Sequence, residues 1–482
     1  MLLKKLPPEI VEEIVPFTLP EGFESLALVC KATFQICKPY IEQHNQLRKR
    51  YRLVSFELEH RRSFGIKAAF PFITYFASEP RGGRYVENLL ARRDTFNILM
   101  MKSPMPVEYD LDAVTKLFRD SRYLRLAGLD WQEYLQHVVD DWEHVPFSNY
   151  SQHAAAFLLT LLPNVRHIVL PGAWQSVPET DKLVDTIVTR AQQPNNTDET
   201  LSLAKLIRFD DSPGGTGAAA MSMLRLPDLK AFQASYVCSH DGENDLPKDI
   251  SKSLTTLNLE RSFIDVRGIT SLLNHTPKLR RFRYEHKSGH PRWDPNPVWD
   301  IARFTAAIET AVGEQLEELY LSFENIDGPC VPGKLSFRNY RQLRVLEFPL
   351  DGYACSAKSA TPDSNVTEGV YIGQAAPKMK FTENDGLPVL RNLIPSSLEQ
   401  LELRSTGKID HAYLVHHLFS DYSKQQQTIS PNVKTIHLDF RETAREEYQD
   451  ECFAAQRDCA KAKVDLHLCL KDCDAQKRTS LC

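Results

Sequence analysis

The sequence predicts an α/β fold in which a three-helix module precedes an irregular solenoid, with a curved parallel sheet and helices on its convex side. Three observations predict this fold. Apolar residues recur at helical spacing near the N-terminus, a short apolar phrase recurs further along, and helical patterns lie between its copies. We expect an N-terminal helical module, a helical joint with an irregular first repeat, a repeat domain and a tail, at residues 1–50, 51–150, 151–470 and 471–482.

The N-terminal module has the pattern of three short helices. Leu6, Ile10, Ile14 and Phe17 recur at helical spacing and share one helix face. Apolar residues within residues 23–47 predict two more helices. Three helices in so short a segment bury too little apolar surface to be stable alone. An apolar face left over on this module would therefore need a partner.

The same segment carries a motif, which begins Leu6-Pro7-Pro8-Glu9-Ile10 and continues Leu26-Ala27-Leu28-Val29-Cys30-Lys31. It resembles an F-box, which is a docking module. In this family a helix that carries an aromatic residue follows the second stretch of the motif. Two features depart from the family pattern: Phe34 stands where many members have tryptophan, and the loop at residues 18–22 is unusual. The resemblance implies binding to a Skp-family adaptor through Leu6, Pro7, Ile10, Ile14, Leu26, Leu28, Val29 and Phe34.

The joint at residues 51–150 has a mixed pattern. Helices are predicted at residues 66–76, 111–123 and 131–142, and a strand at residues 85–91. The strand would belong to the irregular first repeat.

The repeated phrase is apolar-x-x-apolar-x-apolar, and it predicts one strand per copy. Helices are predicted between the copies, at residues 180–192, 266–274, 298–312, 410–422 and 442–461. Residues 351–385, rich in turn-forming residues, predict a long insertion loop. The copies, of which the second and fourth are looser, lie at residues 165–170, 229–234, 254–259, 279–284, 316–321, 343–348, 398–403 and 433–438, with weaker ones at 86–89 and 203–206.

This pattern resembles a degenerate leucine-rich-repeat horseshoe. The copies that start at 229, 254 and 279 are 25 residues apart, within the period of about 20–29 residues typical of such repeats. The alternative is a doubly wound α/β sheet, which also alternates strands and helices. Its strands are usually continuous apolar runs because both faces are covered. Polar residues between the apolar ones favour the horseshoe.

Polar side chains within the strands predict a partner-binding surface. Strand side chains alternate, so the x positions point to the exposed, concave face. This surface is basic around residue 281 and acidic on both sides, a pattern that selects a protein partner. Its predicted members are Gln233, Thr256, Asn258, Glu260, Arg281, Arg283, Glu285, Glu318, Tyr320, Glu347, Glu402, Arg404, His437 and Asp439.

Composition excludes several classes of function. The net charge of −5 over 482 residues argues against a general nucleic-acid binder. The sequence has no apolar run long enough to span a membrane and its N-terminus does not resemble a signal peptide. The ten cysteines are then expected to remain thiols in a reducing compartment, the cytoplasm or the nucleus.

Candidate catalytic and metal sites are weak. Gly215 and Gly217 precede a helical pattern, with Asp241 beyond, as in a dinucleotide fingerprint. The preceding Asp210 and Asp211 would repel phosphate, and a flexible loop is the favoured interpretation. The pair His416-His417 has no nucleophile beside it in sequence. A zinc site needs closely spaced ligand pairs, and only Cys469 and Cys473 have this spacing. The tail residues considered as zinc ligands are Cys452, Cys459, His467, Cys469, Cys473 and Cys482.

The resemblances together imply a substrate-recognition subunit of a cullin-based ubiquitin ligase, with no catalytic residue, metal or cofactor of its own. The module would bind the adaptor, and through it the cullin, while the repeats bind a target protein. This layout is similar to that of the divergent F-box proteins common in fungi. Two alternatives remain open: a leucine-rich-repeat scaffold whose first helices form only a cap, and a nucleotide-dependent enzyme that uses Gly215 and Gly217.

Overall fold

The computed structural model describes most of the chain, and elements are given as it places them. Within the described residues, the fold is α/β, and thirteen strands form a parallel sheet that is not closed. The chain divides into two compact units, Met1–Phe232 and Gln233–Cys482. The described residues are 6–56, 69–91, 110–144, 151–170, 174–193, 201–211, 218–239, 246–247, 249–287, 299–324, 329–330, 335–355, 370–371, 387, 389–405, 411–420, 422–424, 431–440 and 449–469.

The first unit begins with three helices, α1 (Pro8–Thr18), α2 (Phe23–Ala27) and α3 (Lys31–Tyr51). Proline suits the first turn of α1 because its missing amide hydrogen has no helical partner there. The buried apolar residues of this segment include Val11, Val15, Leu19, Phe23 and Leu26.

The rest of the first unit alternates short strands with helices. Its strands are β1 (Leu53–Ser55), β2 (Asn88–Leu90), β3 (His167–Val169) and β4 (Arg208–Asp210), paired in that order, followed by the start of β5 (Ala231–Ser235). Its helices are α4 (Ala69–Ser78), α5 (Gly82–Tyr85), α6 (Leu111–Arg119), α7 (Arg122–Leu126), α8 (Trp131–His144), α9 (Gln152–Leu159), α10 (Pro178–Gln192) and α11 (Ala218–Ser222).

The second unit continues the alternation. Its strands are β6 (Cys238–Ser239), β7 (Thr256–Ile264), β8 (Arg281–Lys287), β9 (Glu318–Glu324), β10 (Pro329–Cys330), β11 (Val345–Pro349), β12 (Val370–Tyr371), β13 (Gln400–Ser405), β14 (Thr435–Phe440) and β15 (Asp465–Cys469). Its helices are α12 (Val266–Asn274), α13 (Ile301–Val312), α14 (Leu350–Cys355), α15 (Leu390–Leu393), α16 (His411–Leu418) and α17 (Gln449–Lys461). Strands β10 and β12 form a separate antiparallel pair.

The strand register explains why the phrase repeats. Parallel pairing places the second apolar residue of each copy in the second unit opposite the same position of the next. This row lies in the apolar layer of the unit and is formed by Leu257, Phe282, Leu319, Leu346, Leu401, Ile436 and Leu466. Each strand therefore buries its apolar side chains against its neighbours, as stacked repeats do.

The predicted α/β class and strand–helix alternation are confirmed in this coarse form. Helix α12 has the predicted bounds, since Asp265 caps its N-terminus by accepting a hydrogen bond from Gly268 N at 2.6 Å. The helix predicted at residues 111–123 is instead two helices, α6 and α7, because Ser121 caps a new helix. Most of the predicted insertion loop at residues 351–385 lies outside the described residues.

Candidate protein-interaction surfaces

Large apolar side chains are exposed on the first three helices and in the short segments beside them. Leu28 is 81% exposed and Phe17 is 78% exposed. Of the nine large apolar side chains that are exposed among the described residues, six lie in this segment. We call these six the docking face: Leu6, Ile10, Phe17, Leu28, Val29 and Phe34. Exposed apolar groups that cluster in one segment are typical of a binding surface.

Most residues predicted to bind an adaptor are accessible, with one exception. Pro7 is exposed at the N-terminus of α1, and Ile14 is half-buried on that helix. Leu26 is buried among α1–α3. Its predicted place on the surface is therefore wrong, because α2 turns this side chain towards the other helices, where it stabilises the module.

The loop after α1 is fixed by a cluster of polar contacts. The carboxylate of Glu21 accepts hydrogen bonds from Asn164 Nδ2 and Arg84 Nη2, both at 2.6 Å. Lys205 Nζ donates to Asn164 Oδ1, also at 2.6 Å. Burial raises the pKa of Glu21, but the hydrogen bonds from Asn164 and Arg84 outweigh it and hold this pKa below its ordinary value. The Glu21 cluster thus joins the helical module to the segments before β3 and β4.

A second polar contact joins α3 to α5. His44 Nδ1 lies 3.1 Å from the hydroxyl of Tyr85, and its ring packs at 4.8 Å from that of Phe23. Burial lowers the pKa of His44, a shift that Glu24 opposes. The imidazole therefore acts as a neutral hydrogen-bonding group at ordinary pH.

Polar side chains alternate with the buried row along the strands of the second unit. In β8 the side chains of Phe282, Tyr284 and His286 are buried, whereas those between them are accessible. We call the accessible side the polar face. Register aligns Asn258, Arg283, Tyr320, Glu347, Glu402, His437 and His467 across it in one row.

Arg281, Glu318 and Tyr320 form a connected group on the polar face. Arg281 makes two contacts with the Glu318 carboxylate, from Nε at 2.6 Å and from Nη2 at 2.7 Å. The hydroxyl of Tyr320 donates to Glu318 Oε2 at 2.7 Å. Burial raises the pKa of Glu318, but the hydrogen bonds from Arg281 and Tyr320 hold it below its ordinary value. Glu318 is therefore an anion that fixes both neighbours.

Glu347 lies between two guanidinium groups. Its side chain is only 3% exposed, with Arg404 Nε at 3.2 Å and Arg283 Nη2 at 3.9 Å. Arg404 also donates to Glu402 Oε1 at 2.9 Å. Glu347 was predicted as an exposed member of the surface, and this placement is wrong because its cationic neighbours cover it. It therefore contributes to the polar face by holding Arg404 in place.

The other residues predicted for the partner-binding surface are half-buried, apart from Arg281, which is exposed. Glu260 accepts hydrogen bonds from the amides of Gln233 and Asn258, both at 3.1 Å. At the other end of the polar face, His437 stacks on His467 with ring centroids 5.0 Å apart. Thr256, Glu285 and Asp439 also lie on strands of this face.

A row of charges at the start of the strands was missed by the sequence reasoning. Its members follow the first apolar residue in the five copies that start at residues 279, 316, 343, 398 and 433. They alternate in sign, a signal that is visible when these copies are aligned. Glu399 lies between Arg344 at 2.6 Å and Lys434 at 2.7 Å. Hydrogen bonds from these two residues lower the pKa of Glu399 to about 2. We call this set the charged row: Arg280, Glu317, Arg344, Glu399 and Lys434.

The candidate enzymatic residues do not assemble into a site within the described part of the chain. Gly215, Gly217 and Asp241 lie outside it, as do Cys473 and Cys482. Cys452 and Cys459 are buried on α17, where burial raises both thiol pKa values to about 12. Cys469 ends β15, and His467 stacks on the imidazole of the polar face described above.

The two adjacent histidines have different surroundings. His417 Nε2 lies 2.8 Å from the carbonyl oxygen of Leu387, and His416 is exposed. Across the residues that can be described, no group of three or more potential metal ligands converges.

A comparison with models of known protein families gives no match, and a search of curated proteins gives no matching relative. Among the helices that the structure describes, none combines the length and the apolar character required to cross a membrane.

Proposed function

We propose that this protein is the substrate-recognition subunit of a cullin-based ubiquitin ligase. Helices α1–α3 act as an F-box that docks on a Skp-family adaptor. The strand–helix units form a curved leucine-rich-repeat solenoid that holds a target protein, in the cytoplasm or the nucleus. The subunit contributes by positioning, which raises the effective concentration of the target near the conjugating enzyme. It needs no catalytic residue or cofactor of its own.

The docking face is the single observation that carries the proposal. The F-box-like residues Leu6, Ile10, Leu28, Val29 and Phe34 are exposed, although large apolar groups usually avoid water. Complete burial of one such side chain stabilises a complex by roughly 1.5–3 kcal/mol. Burial of several of them together would favour a complex, and the cost of association offsets part of this gain.

The polar face supports the second half of the proposal. Its arginines and carboxylates are fixed by one another, as in the contacts of Arg281 with Glu318 and of Arg404 with Glu402. Charged groups held in place lose little conformational entropy when a partner binds. They select a partner of complementary charge more than they add affinity.

Co-expression with a Skp-family adaptor tests the docking function. We expect the full chain to co-purify with the adaptor at equal stoichiometry. Charged substitutions Phe17→Glu and Leu28→Glu, and the motif change Ile10→Glu, remove this complex because they place a charge in an apolar interface. The chosen side chains are exposed, so the thermal unfolding midpoint of the free chain changes little.

Leu111→Glu is the matched control. Leu111 is an equally apolar side chain that is 62% exposed on α6, outside the docking face. Its substitution leaves the adaptor complex intact. A folded wild-type chain that does not bind any Skp-family adaptor would rule out the ligase function.

A second candidate is a leucine-rich-repeat scaffold in which α1–α3 only cap the solenoid. The Glu21 cluster favours it, because Glu21 ties the module to Arg84 and Asn164 as a cap would be tied. The same three exposed-residue variants separate the candidates. A scaffold would show no adaptor complex with either wild type or the variants, whereas a ligase receptor would bind the adaptor as wild type and lose it in the variants without unfolding.

A further inference from the structure

The three arginines of the polar face differ in how many of their donors are already engaged. Arg281 is held by Glu318 through two contacts shorter than 2.8 Å, at 2.6 and 2.7 Å. Arg404 donates to Glu402 at 2.9 Å and contacts Glu347 at 3.2 Å. Both guanidinium groups are therefore engaged mainly with carboxylates of their own chain.

Arg283 is the exception. Within the described residues, its nearest carboxylate is that of Glu347, at 3.9 Å. This distance is too long for a hydrogen bond. The Arg283 side chain is 41% exposed, near the middle of β8. Its guanidinium group thus presents N–H donors to the polar face without a hydrogen bond to any residue that the structure describes.

Tyr320 fixes the position of this guanidinium group. The carbon atom of the guanidinium lies 4.7 Å from the centroid of the Tyr320 ring, a cation–π geometry. The ring is in turn held by the hydrogen bond from its hydroxyl to Glu318, and Glu318 by Arg281. These contacts hold the Arg283 side chain in place. Its N–H groups have no hydrogen-bond acceptor among the described residues. Such preorganisation lowers the entropy cost of binding a ligand.

We propose that Arg283, supported by Tyr320, is the anchor of the polar face and binds a carboxylate of an acidic segment in the target protein. This assignment rests on the proposed function, in which the polar face holds the target. Guanidinium groups bind carboxylates through paired hydrogen bonds of matching geometry. Tyrosine and arginine are also the residue types most common among the dominant contacts of protein interfaces.

Charge favours a carboxylate over a phosphate group. Glu318, whose lowered pKa keeps it an anion, accepts the hydrogen bond of the Tyr320 hydroxyl. Glu347 lies 3.9 Å from the Arg283 guanidinium group. A phosphate group carries nearly two negative charges near neutral pH and binds best to a cluster of arginines. Arg281 and Arg404 are already engaged with carboxylates, which leaves a single guanidinium group for the ligand. The occupant is therefore an aspartate- or glutamate-containing segment.

Selection from a random peptide library displayed on phage, with the full chain immobilised, tests the anchor. We expect the selected peptides to be enriched in aspartate and glutamate. A selected peptide, synthesised with a fluorescent label, loses at least about tenfold in affinity for Arg283→Ala, or about 1.4 kcal/mol. Tyr320→Leu causes a similar loss, whereas Tyr320→Phe, which keeps the ring but loses its hydroxyl contact with Glu318, causes a smaller loss.

Arg280→Ala is the matched control, since Arg280 is an arginine in the charged row that pairs with Glu317 at 2.8 Å. It leaves the peptide affinity unchanged. The proposal is overturned if no acidic peptides are selected, if Arg283→Ala binds them as wild type does, or if phosphoserine in place of the acidic residue binds more tightly. Adaptor co-purification of the same variants is measured separately, so failure of the anchor is distinguished from failure of the ligase function.

Discussion

His286 lies in the apolar layer of the second unit, on the side of β8 opposite to Arg283. Its ring stacks on the indole of Trp299 with centroids 4.2 Å apart, and its Nδ1 lies 3.0 Å from the Tyr284 hydroxyl. Because burial removes the imidazole from water, the pKa of His286 falls from 6.5 to about 3. The layer beneath the polar face therefore contains a neutral histidine that can be charged only at a cost.

This histidine makes the free energy of unfolding depend on pH. Between about pH 6.5 and about pH 3, the unfolded chain binds a proton at His286 that the folded chain does not bind. Stability is therefore greatest above the upper value and falls as the pH decreases through this window. The loss from this one group approaches about 1.4 kcal/mol per pH unit.

Urea denaturation of wild type and of His286→Leu, at about pH 7 and about pH 5, measures this contribution. The variant is less stable at the higher pH, since Tyr284 loses a hydrogen-bond partner, but it loses less stability on acidification. Equal losses in the two proteins would contradict the assignment. Other carboxylates and histidines titrate in both proteins, so the difference between them isolates His286.

At the level of elements, the repeated phrase predicted most of the strands because each copy combines three buried apolar positions. Strand β15 was not predicted, because Lys463 occupies the first of these positions, with a positive φ of 61°. Register with β14 shows the match, since Leu466 lies opposite Ile436 and Leu468 opposite Leu438. One charged residue in an exposed turn was enough to hide the copy.

Strand β1 was missed for a different reason. Its phrase begins at Tyr51, which is also the last residue of α3, and continues through Val54 to Phe56. A residue that ends a helix and begins a repeat has an ambiguous period in sequence. The weak copy at residues 203–206 was misplaced, since β4 centres on Phe209 and a buried Asp211 occupies the third position.

The alternating charges of the charged row are expected to stabilise the contacts between neighbouring strands. Glu399→Lys places three cations side by side with Arg344 and Lys434, and like charges so close repel. We expect a lower midpoint of thermal unfolding at low salt, with Glu399→Gln intermediate. Since both partners of Glu399 are exposed to solvent, the deficit shrinks in about 1 M salt, where charges are screened beyond about 3 Å.

Lys461→Glu is a suitable comparison for the charged row. Lys461 pairs with Asp458 at 2.8 Å within α17, away from the strand starts. Its reversal disturbs one exposed ion pair and changes the midpoint little. A deficit of Glu399→Lys that is the same at low and high salt would indicate a packing defect instead of charge repulsion.

For the whole molecule, the sequence pattern identified most accessible residues of both candidate surfaces. It did not identify which of these residues contact one another. Alternation within strands identified the polar positions, since a period of two follows from strand geometry. It could not show that Glu347 is covered, or that Arg283 makes no hydrogen bond to the part of the chain that the structure describes. Those properties depend on contacts between side chains on different strands. The pattern of a single strand does not determine its register with the next strand.

The two surfaces lie in different compact units, which predicts that they act independently. The docking face belongs to Met1–Phe232 and the polar face, with Arg283, to Gln233–Cys482. Leu28 and Arg283 are both accessible and lie in different units, so we expect each substitution to leave the fold of the chain intact. We expect Leu28→Glu to lose the adaptor and keep the affinity for a selected acidic peptide. Arg283→Ala should show the reverse pattern, and the double variant should show both losses without interaction between them. Peptide affinity that depends on the adaptor, or on Leu28, would mean that the chain couples docking to target binding instead of merely holding both partners.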